Sequence, residues 1–360
     1  MQTTAITGLI AAMPKVELHV HLEGCLEPEM ALQFARKNRV PFPYDSIEQV
    51  RAGREFTDLT TFLAAMTVNT QTLRAVEDHY ELTKQYLQRV HDENVVHVEI
   101  ALSPQGFKTR GLEIAPCIDA VASALREARD AFGMTGGIIA GCVRHRPPDE
   151  ALEMLAELRA CGDAILAVGL HGGELGNEPR LFERHFQFAR AQGWHTVAHA
   201  GEEGPADYVA QSLDILGAER IDHGVRAGDD PVLLERLAAE GTPLTVCPVS
   251  NICLGVFAAL EDHNIARLLR RGVAVSLHSD DPAYFGGYLS HCIEQTAAVL
   301  DLSAAELVEM NKNAIRAAFL DDAAKQRLLA ASDAALAAPS PRPAYGRPDR
   351  RGCFVVPLLA

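Results

Sequence analysis

The 360-residue chain has eight cysteines but no C-x-x-C pair. They are scattered, and Cys142 and Cys247 lie inside apolar runs, which reads as small core residues in a reducing cytosol. Positive charge is also scarce. Lysine and arginine number 33 against 48 acidic residues, a formal net charge of −15. That balance argues against a nucleic-acid or anionic-membrane surface and leaves a small neutral heterocycle open as ligand. No stretch is long enough and free enough of charge to span a bilayer, and Met1 to Ala12 has no basic region ahead of its few apolar residues. Internal repeats and low-complexity tracts are missing too. The expectation is a soluble, cytoplasmic protein.

What is present is a core, with 48% hydrophobic residues. Eight apolar runs alternate with helix-like segments, at 16–20, 94–102, 137–143, 164–170, 195–199, 219–223, 243–247 and 273–278. They are rich in Val, Ile and Leu without clean polar alternation, as in parallel strands buried on both faces. Helical periodicity marks 115–132, 149–160 and 179–192, and Asp230-Pro231 reads as an N-cap followed by an N1 proline. This α/β pattern, repeated eight times, predicts a (β/α)8 TIM barrel filling 1–360 as one domain. The segment 28–93 reads as a helical insertion over the barrel mouth, with helices at 28–37, 60–66 and 76–90. Extra C-terminal helices are expected over 302–334 and an extended tail over 335–360.

Active sites of such barrels lie at the C-terminal strand ends. His19 and His21 end the first run, two residues apart and therefore on one face of a strand. His199 ends the fifth run, His223 the sixth, and Asp280-Asp281 follow the eighth. Each motif has a bland reading alone: packed histidines, a capping Glu, a turn before a helix. Their joint placement at one mouth favours a metal site made by His19, His21, His199 and Asp280. Three imidazoles and a carboxylate suit Zn²⁺, one per chain, better than Mg²⁺ or Ca²⁺. Zinc lowers the pKa of its water from ~15.7 toward ~7 and so yields hydroxide at neutral pH. Glu202, three residues past His199, is placed to protonate a ring nitrogen of an aromatic substrate. His223 can orient the attacking water, and Asp281 can bond the other ring edge. A bridging lysine for a second metal is absent after the fourth run, which reads Leu170-His171-Gly172-Gly173.

The stretches Val16-Glu17-Leu18-His19-Val20-His21-Leu22-Glu23-Gly24, His199-Ala-Gly-Glu202, Arg220-Ile-Asp-His-Gly224, Cys247-Pro-Val-Ser-Asn251 and Ser279-Asp-Asp-Pro282 resemble the adenosine/adenine deaminase family of the amidohydrolase superfamily. The resemblance runs from about residue 13 to about residue 320. It implies hydrolysis of a 6-aminopurine to the 6-oxopurine and ammonia, with zinc hydroxide attacking C6. By position, His19, His21, His199 and Asp280 match the zinc ligands, Glu202 the proton shuttle to N1, His223 the water-orienting base and Asp281 the N7 contact. The glycine that meets N3 falls within Gly172-Gly173. The implied partner is a small purine base or nucleoside, with no nucleic acid or membrane; no motif addresses oligomeric state.

Within the family the chain looks nearest the bacterial and fungal adenine deaminase branch, with three departures at the mouth. Ser103 stands where that branch has Asp, His171 where it has Asp, and His278 where it has Asn. Glu23, Ser103, His171, Gly172, Gly173, His278 and Asp281 are therefore expected to shape substrate choice. A widened or re-polarised pocket would suit adenosine, an N6-substituted adenine or a larger adenine nucleoside such as aminodeoxyfutalosine as well as adenine. A two-metal amidohydrolase and a catalytically dead purine-binding protein are the competing readings.

Overall fold

The computed structural model describes residues 2–338. A helix α1 (Gln2–Ala12) leads into β1 (Lys15–His21). Four helices then separate β1 from β2 (Val95–Leu102): α2 (Pro28–Asn38), α3 (Ile47–Ala52), α4 (Leu59–Thr70) and α5 (Val76–Asp92). From there strand and helix alternate. Helices α6 (Pro104–Thr109) and α7 (Ile114–Phe132) precede β3 (Thr135–Val143), and α8 (Pro148–Leu158) precedes β4 (Ile165–His171). Helix α9 (Glu183–Ala191) is followed by β5 (His195–Ala200), and α10 (Ala206–Gln211) by β6 (Arg220–His223). Helix α11 (Pro231–Glu240) leads to β7 (Pro243–Val246), and α12 (Pro248–Cys253) and α13 (Ile265–Arg270) lead to β8 (Ala274–Leu277). Four helices close the described chain: α14 (Pro282–Phe285), α15 (Leu289–Val299), α16 (Ala304–Ala317) and α17 (Asp322–Ala337).

All eight strands pair in parallel in the order of the sequence. The ends of the sheet meet where Val20 bridges Asp280, with Asp280 N donating to His19 O at 3.0 Å and His21 N to Asp280 O at 3.0 Å. The sheet is thereby a (β/α)8 barrel, and its closure runs through a residue of the expected site. The register of β1 against β2 slips between Glu17 and Val20. Such irregularities re-aim side chains at functional positions, and here the slip brackets His19.

Local signals act as expected. Asp230 accepts from Val232 N and Leu233 N ahead of Pro231, and Asp58 and Thr61 make a capping box that starts α4. The floor of the barrel is a small cluster of Ala101, Ile139, Ala167 and Val197, plugged by Phe319. Beside it the buried Arg220 lies 2.8 Å from Glu99, and Glu99 also accepts from Phe319 N at 2.6 Å. A charge pair, rather than more apolar packing, fixes the polypeptide after α16 to the barrel base.

Several elements differ from the sequence reading. The N-terminal helix α1 was not expected; its hydrophobic stripe is weakly periodic because small residues dominate it. The insertion carries four helices rather than three, since α3 is only six residues long. The 179–192 segment splits into a 3₁₀ turn at Pro179–Phe182 and α9. The expected tail begins too early at 335: α17 runs through Ala337, as its Ala-rich sequence favours. The rest of that tail, 339–360, lies outside the described residues. No helix among the described residues is long and apolar enough to cross a membrane, and their seven cysteines are all free.

Candidate active site

At the C-terminal mouth a cavity of about 210 Å³ reaches from His21, His199, His223 and Asp280 outward to α4, α6 and the segment after β3. Helix α4 forms one wall with Leu59, Phe62, Leu63, Met66, Thr67 and Thr70. Of the insertion, α4 and the adjoining Gln71 thus stand at the mouth.

The floor is a convergence of lone pairs. His19 Nε2 lies 3.2 Å from His199 Nε2, and His21 Nε2 lies 3.1 Å from the same atom. Asp280 Oδ1 is 3.5 Å from His19 Nε2 and 3.3 Å from His21 Nε2. One donor atom from each of the four residues falls within a sphere of mutual distances below 4.8 Å. Tautomers are fixed from behind. His19 Nδ1 donates to the Thr245 carbonyl at 2.9 Å, and His199 Nδ1 faces Asp222 Oδ2 at 3.1 Å. In the neutral rings the protons are then on Nδ1, and the Nε2 atoms point bare lone pairs at one another. A shared proton or a bound metal cation would each reconcile that arrangement. The field agrees: burial depresses the His19 imidazole, but Asp222 and Asp280 outweigh burial and raise it to about 9. A divalent cation answers the same demand while leaving the rings neutral. Three imidazole nitrogens and a carboxylate suit a first-row transition cation rather than Mg²⁺ or Ca²⁺.

The supporting residues are all buried. Thr245 Oγ1 donates to Asp222 Oδ1 at 2.6 Å, and Ser250 Oγ donates to Asp280 Oδ2 at 2.7 Å. His223 and Asp280 both have φ near +65°, a left-handed conformation unusual for these residues. These conformations lie at the end of β6 for His223 and three residues past β8 for Asp280.

Glu202 sits beside this floor. Its Oε2 lies 3.4 Å from His223 Nε2, and its Oε1 accepts from Asn251 Nδ2 at 3.3 Å. Burial, then Asp280 and Glu174, push the Glu202 carboxyl well above the ordinary carboxylate range. Burial, then the neighbouring His19, hold His223 well below the usual imidazole range, so it is neutral. An acid whose hold on its proton is strengthened and a neutral base therefore stand side by side at the floor. The turn bearing Glu202 is held by Glu174, which accepts from Gly204 N.

Asp281 packs against the turn after β1. A Cβ on Gly24 would stand 2.6 Å from Asp281 Cα, so only glycine fits there. Asp281 Oδ1 and Glu23 Oε2 are buried without partners, and Glu23 Oε1 accepts from Ser103 N at 3.0 Å. Both carboxyls thus keep one oxygen for a ligand. Ser103 Oγ lies 3.1 Å from His171 Nε2, so two of the three branch departures bond each other. The His171 ring occupies the space over Gly141, where a Cβ would collide with it.

The expected residues do not all reach the cavity. Glu23, Ser103, His171 and Gly172 line it, whereas Gly173 and His278 do not. His278 corrects the expectation of a third specificity position: its Nδ1 lies 2.9 Å from Glu17 Oε1 and its Nε2 2.8 Å from Ser276 Oγ, beneath the floor. Both ring nitrogens are used inside the barrel, leaving none for a ligand. Asp222, Thr245, Ser250, Asn251 and Glu174 were missed as supporting groups. Their signal was available, because Asp222 precedes His223, and Ser250-Asn251 end a stretch singled out above.

The model of the family described as adenosine deaminase matches residues 14–335. An adenine deaminase of Cupriavidus necator is 46% identical over 329 residues, covering 91% of this chain and 94% of its own. The crystal structure of adenine deaminase from Arthrobacter aurescens matches with a TM-score of 0.89 at 42% identity, over 91% of this chain and 100% of that one. An amidohydrolase from Burkholderia ambifaria, solved with bound Zn, matches with a TM-score of 0.86 at 27% identity, over 92% and 93% of the two chains. The ligand-like floor, the acid beside it and the mouth insertion all fall inside the matched span, and the chain belongs to the adenosine deaminase family.

Proposed function

We propose that this chain is a zinc-dependent hydrolase that converts a 6-aminopurine and water into the 6-oxopurine and ammonia. His19, His21, His199 and Asp280 would hold one Zn²⁺. When bound, that ion supplies a water of lowered pKa, ~7 instead of ~15.7, beside the substrate. His223 takes the proton of the attacking water. Glu202 gives its proton to N1, which makes C6 electrophilic and draws the ring electrons off the carbon under attack. Asp281 bonds N7, and Glu23 and Gly172 meet the far side of the ring. The proton taken by His223 passes to the departing amine, which leaves as ammonia, and the new C6 hydroxyl returns a proton to Glu202, giving the 6-oxopurine. The observation that carries this reading is the floor itself: three imidazole nitrogens and a carboxylate converge beside Glu202, whose carboxyl is pushed up, and His223, whose imidazole is held down.

The Ser103–His171 bond supports a mouth polarised differently from an acidic one, and the cavity continues past it toward Gln71, Thr109 and Arg146. This favours a purine carrying a substituent, such as a nucleoside or an N6-substituted adenine, alongside adenine itself. The chemistry at C6 is the same in each case. All seven described cysteines being free supports a reducing, cytoplasmic setting.

The test is an ultraviolet deamination screen of adenine, adenosine, N6-alkyladenines and larger adenine nucleosides, with elemental analysis of the purified chain. Turnover of at least one substrate with one zinc per chain is expected. Two metals per chain, or no turnover across the panel, would reject the reading.

A further inference from the structure

Arg54 lies in the insertion, just past α3, and is 8% exposed. Its guanidinium meets neutral oxygens rather than a carboxylate. Nη1 donates to Ala283 O at 3.0 Å, and Nη2 donates to Leu26 O at 2.7 Å and to Asn69 Oδ1 at 3.2 Å. Its planar head lies over the Tyr284 ring, 4.1 Å from the centroid. Three segments of the mouth are thereby joined: the turn after β1, helix α4 and helix α14.

The two carbonyls are not arbitrary. Leu26 is two residues past Gly24, and Ala283 is two residues past Asp281. Gly24 and Asp281 are the point where those two segments press together, closely enough to exclude a Cβ. One guanidinium therefore spans the carbonyls that flank this contact. Asp281 O in turn accepts from Tyr284 N at 2.9 Å and Phe285 N at 3.1 Å, so a shift of α14 moves the backbone of Asp281. Lysine offers no such planar fork.

We infer that Arg54 is a positioning residue for Asp281, holding its carboxyl at the place where it meets N7 of the substrate ring. The inference rests on the functional reading of Asp281 given above. Arg54 touches no substrate. It acts by pinning two backbone segments, and a carboxyl displaced by a fraction of an ångström loses the ring nitrogen it is aimed at.

The experiment measures binding on a Glu202→Gln background, which silences turnover. Dissociation constants of adenine and 7-deazaadenine, which has a C–H in place of N7, are determined by calorimetry for Arg54, Arg54→Lys and Arg54→Met. Melting temperature and zinc content are recorded for each. Arg54→Met is expected to weaken adenine by about tenfold, the size of one ligand hydrogen bond. The same variant should leave 7-deazaadenine within about twofold, with Arg54→Lys intermediate. Equal weakening of both ligands overturns the inference, since general damage to the mouth ignores N7. Unchanged adenine affinity overturns it as well. Should Arg54→Met fail to fold, Arg54→Lys is judged by the same criterion. Failure of the functional reading is distinct: it shows as a wild-type chain that deaminates no 6-aminopurine.

Discussion

Asp222 Oδ2 lies 3.1 Å from His199 Nδ1, and this pairing decides which nitrogen of His199 faces the mouth. A carboxylate behind an imidazole fixes the tautomer and makes the opposite nitrogen a better donor to a metal. Asp222 is itself fixed by Thr245 Oγ1, while the Thr245 carbonyl fixes His19. Two proposed ligands, His199 on β5 and His19 on β1, are thus oriented from β6 and β7. Asp222→Asn should lower metal affinity by about 10–100-fold. Chelator competition measures this, and affinity equal to wild type would refute the role.

Glu202 is the group whose loss separates chemistry from metal binding. Its carboxyl pairs with His223 and Asn251. Glu202→Gln keeps the shape and the Asn251 contact while removing the transferable proton. Turnover should fall by about 10²–10⁴-fold, with zinc content unchanged. Steady-state kinetics paired with elemental analysis gives both numbers, and retained turnover would remove Glu202 from the mechanism.

The barrel was legible because its strands are near-continuous apolar runs alternating with helical segments, and all eight fall within a few residues of their expected limits. Residues 16–20, for example, lie inside β1 at Lys15–His21. The convergence of His19, His21, His199 and Asp280 was legible for the same reason, since each ends or follows a strand. What did not show was anything set by bonds between distant segments. His278 read as a mouth residue because it precedes Ser279-Asp280, yet Glu17, 261 residues away, pulls its ring below the floor. Arg54 carried no motif at all. Its importance arises only when Leu26 and Ala283 arrive from opposite ends of the sheet.

Gly141 and His171 should behave as a pair. The His171 ring fills the place where a Cβ on Gly141 would stand, and its Nε2 is bonded to Ser103. Gly141→Ala should displace the ring and break that bond, raising KM while zinc stays bound. Adding His171→Ala should relieve the collision and recover part of the loss. Replacing both Ser103 and His171 by Asp should shift preference toward free adenine over nucleosides. Ratios of kcat/KM for adenine and adenosine measure both effects, and ratios equal to wild type would reject a specificity role for this edge.

Far from the mouth, Glu99 links acid stability to the barrel base. Burial alone would raise its carboxyl, but Arg220 at 2.8 Å, His97 and the Phe319 amide together lower it to about 2. In the unfolded chain the same group titrates near 4.5. The folded state therefore binds this proton less readily, and the stabilisation is complete above pH ~4.5. As pH falls from about 4.5 toward 2 the unfolded chain takes up the proton first, and stability on the order of 3 kcal/mol is lost. Glu99→Gln should remove that dependence. Because it leaves the buried Arg220 with only the more distant Asp222, at 4.0 Å, as counter-charge, the variant should also be less stable at pH 7 by about 3 kcal/mol. The gap between wild type and variant should then shrink as pH drops through this window, since protonated Glu99 no longer serves Arg220 either. Denaturant titrations at pH 7, 4.5 and 3 measure the gap. A gap that stays constant over these three values would show that Glu99 is not the group responsible.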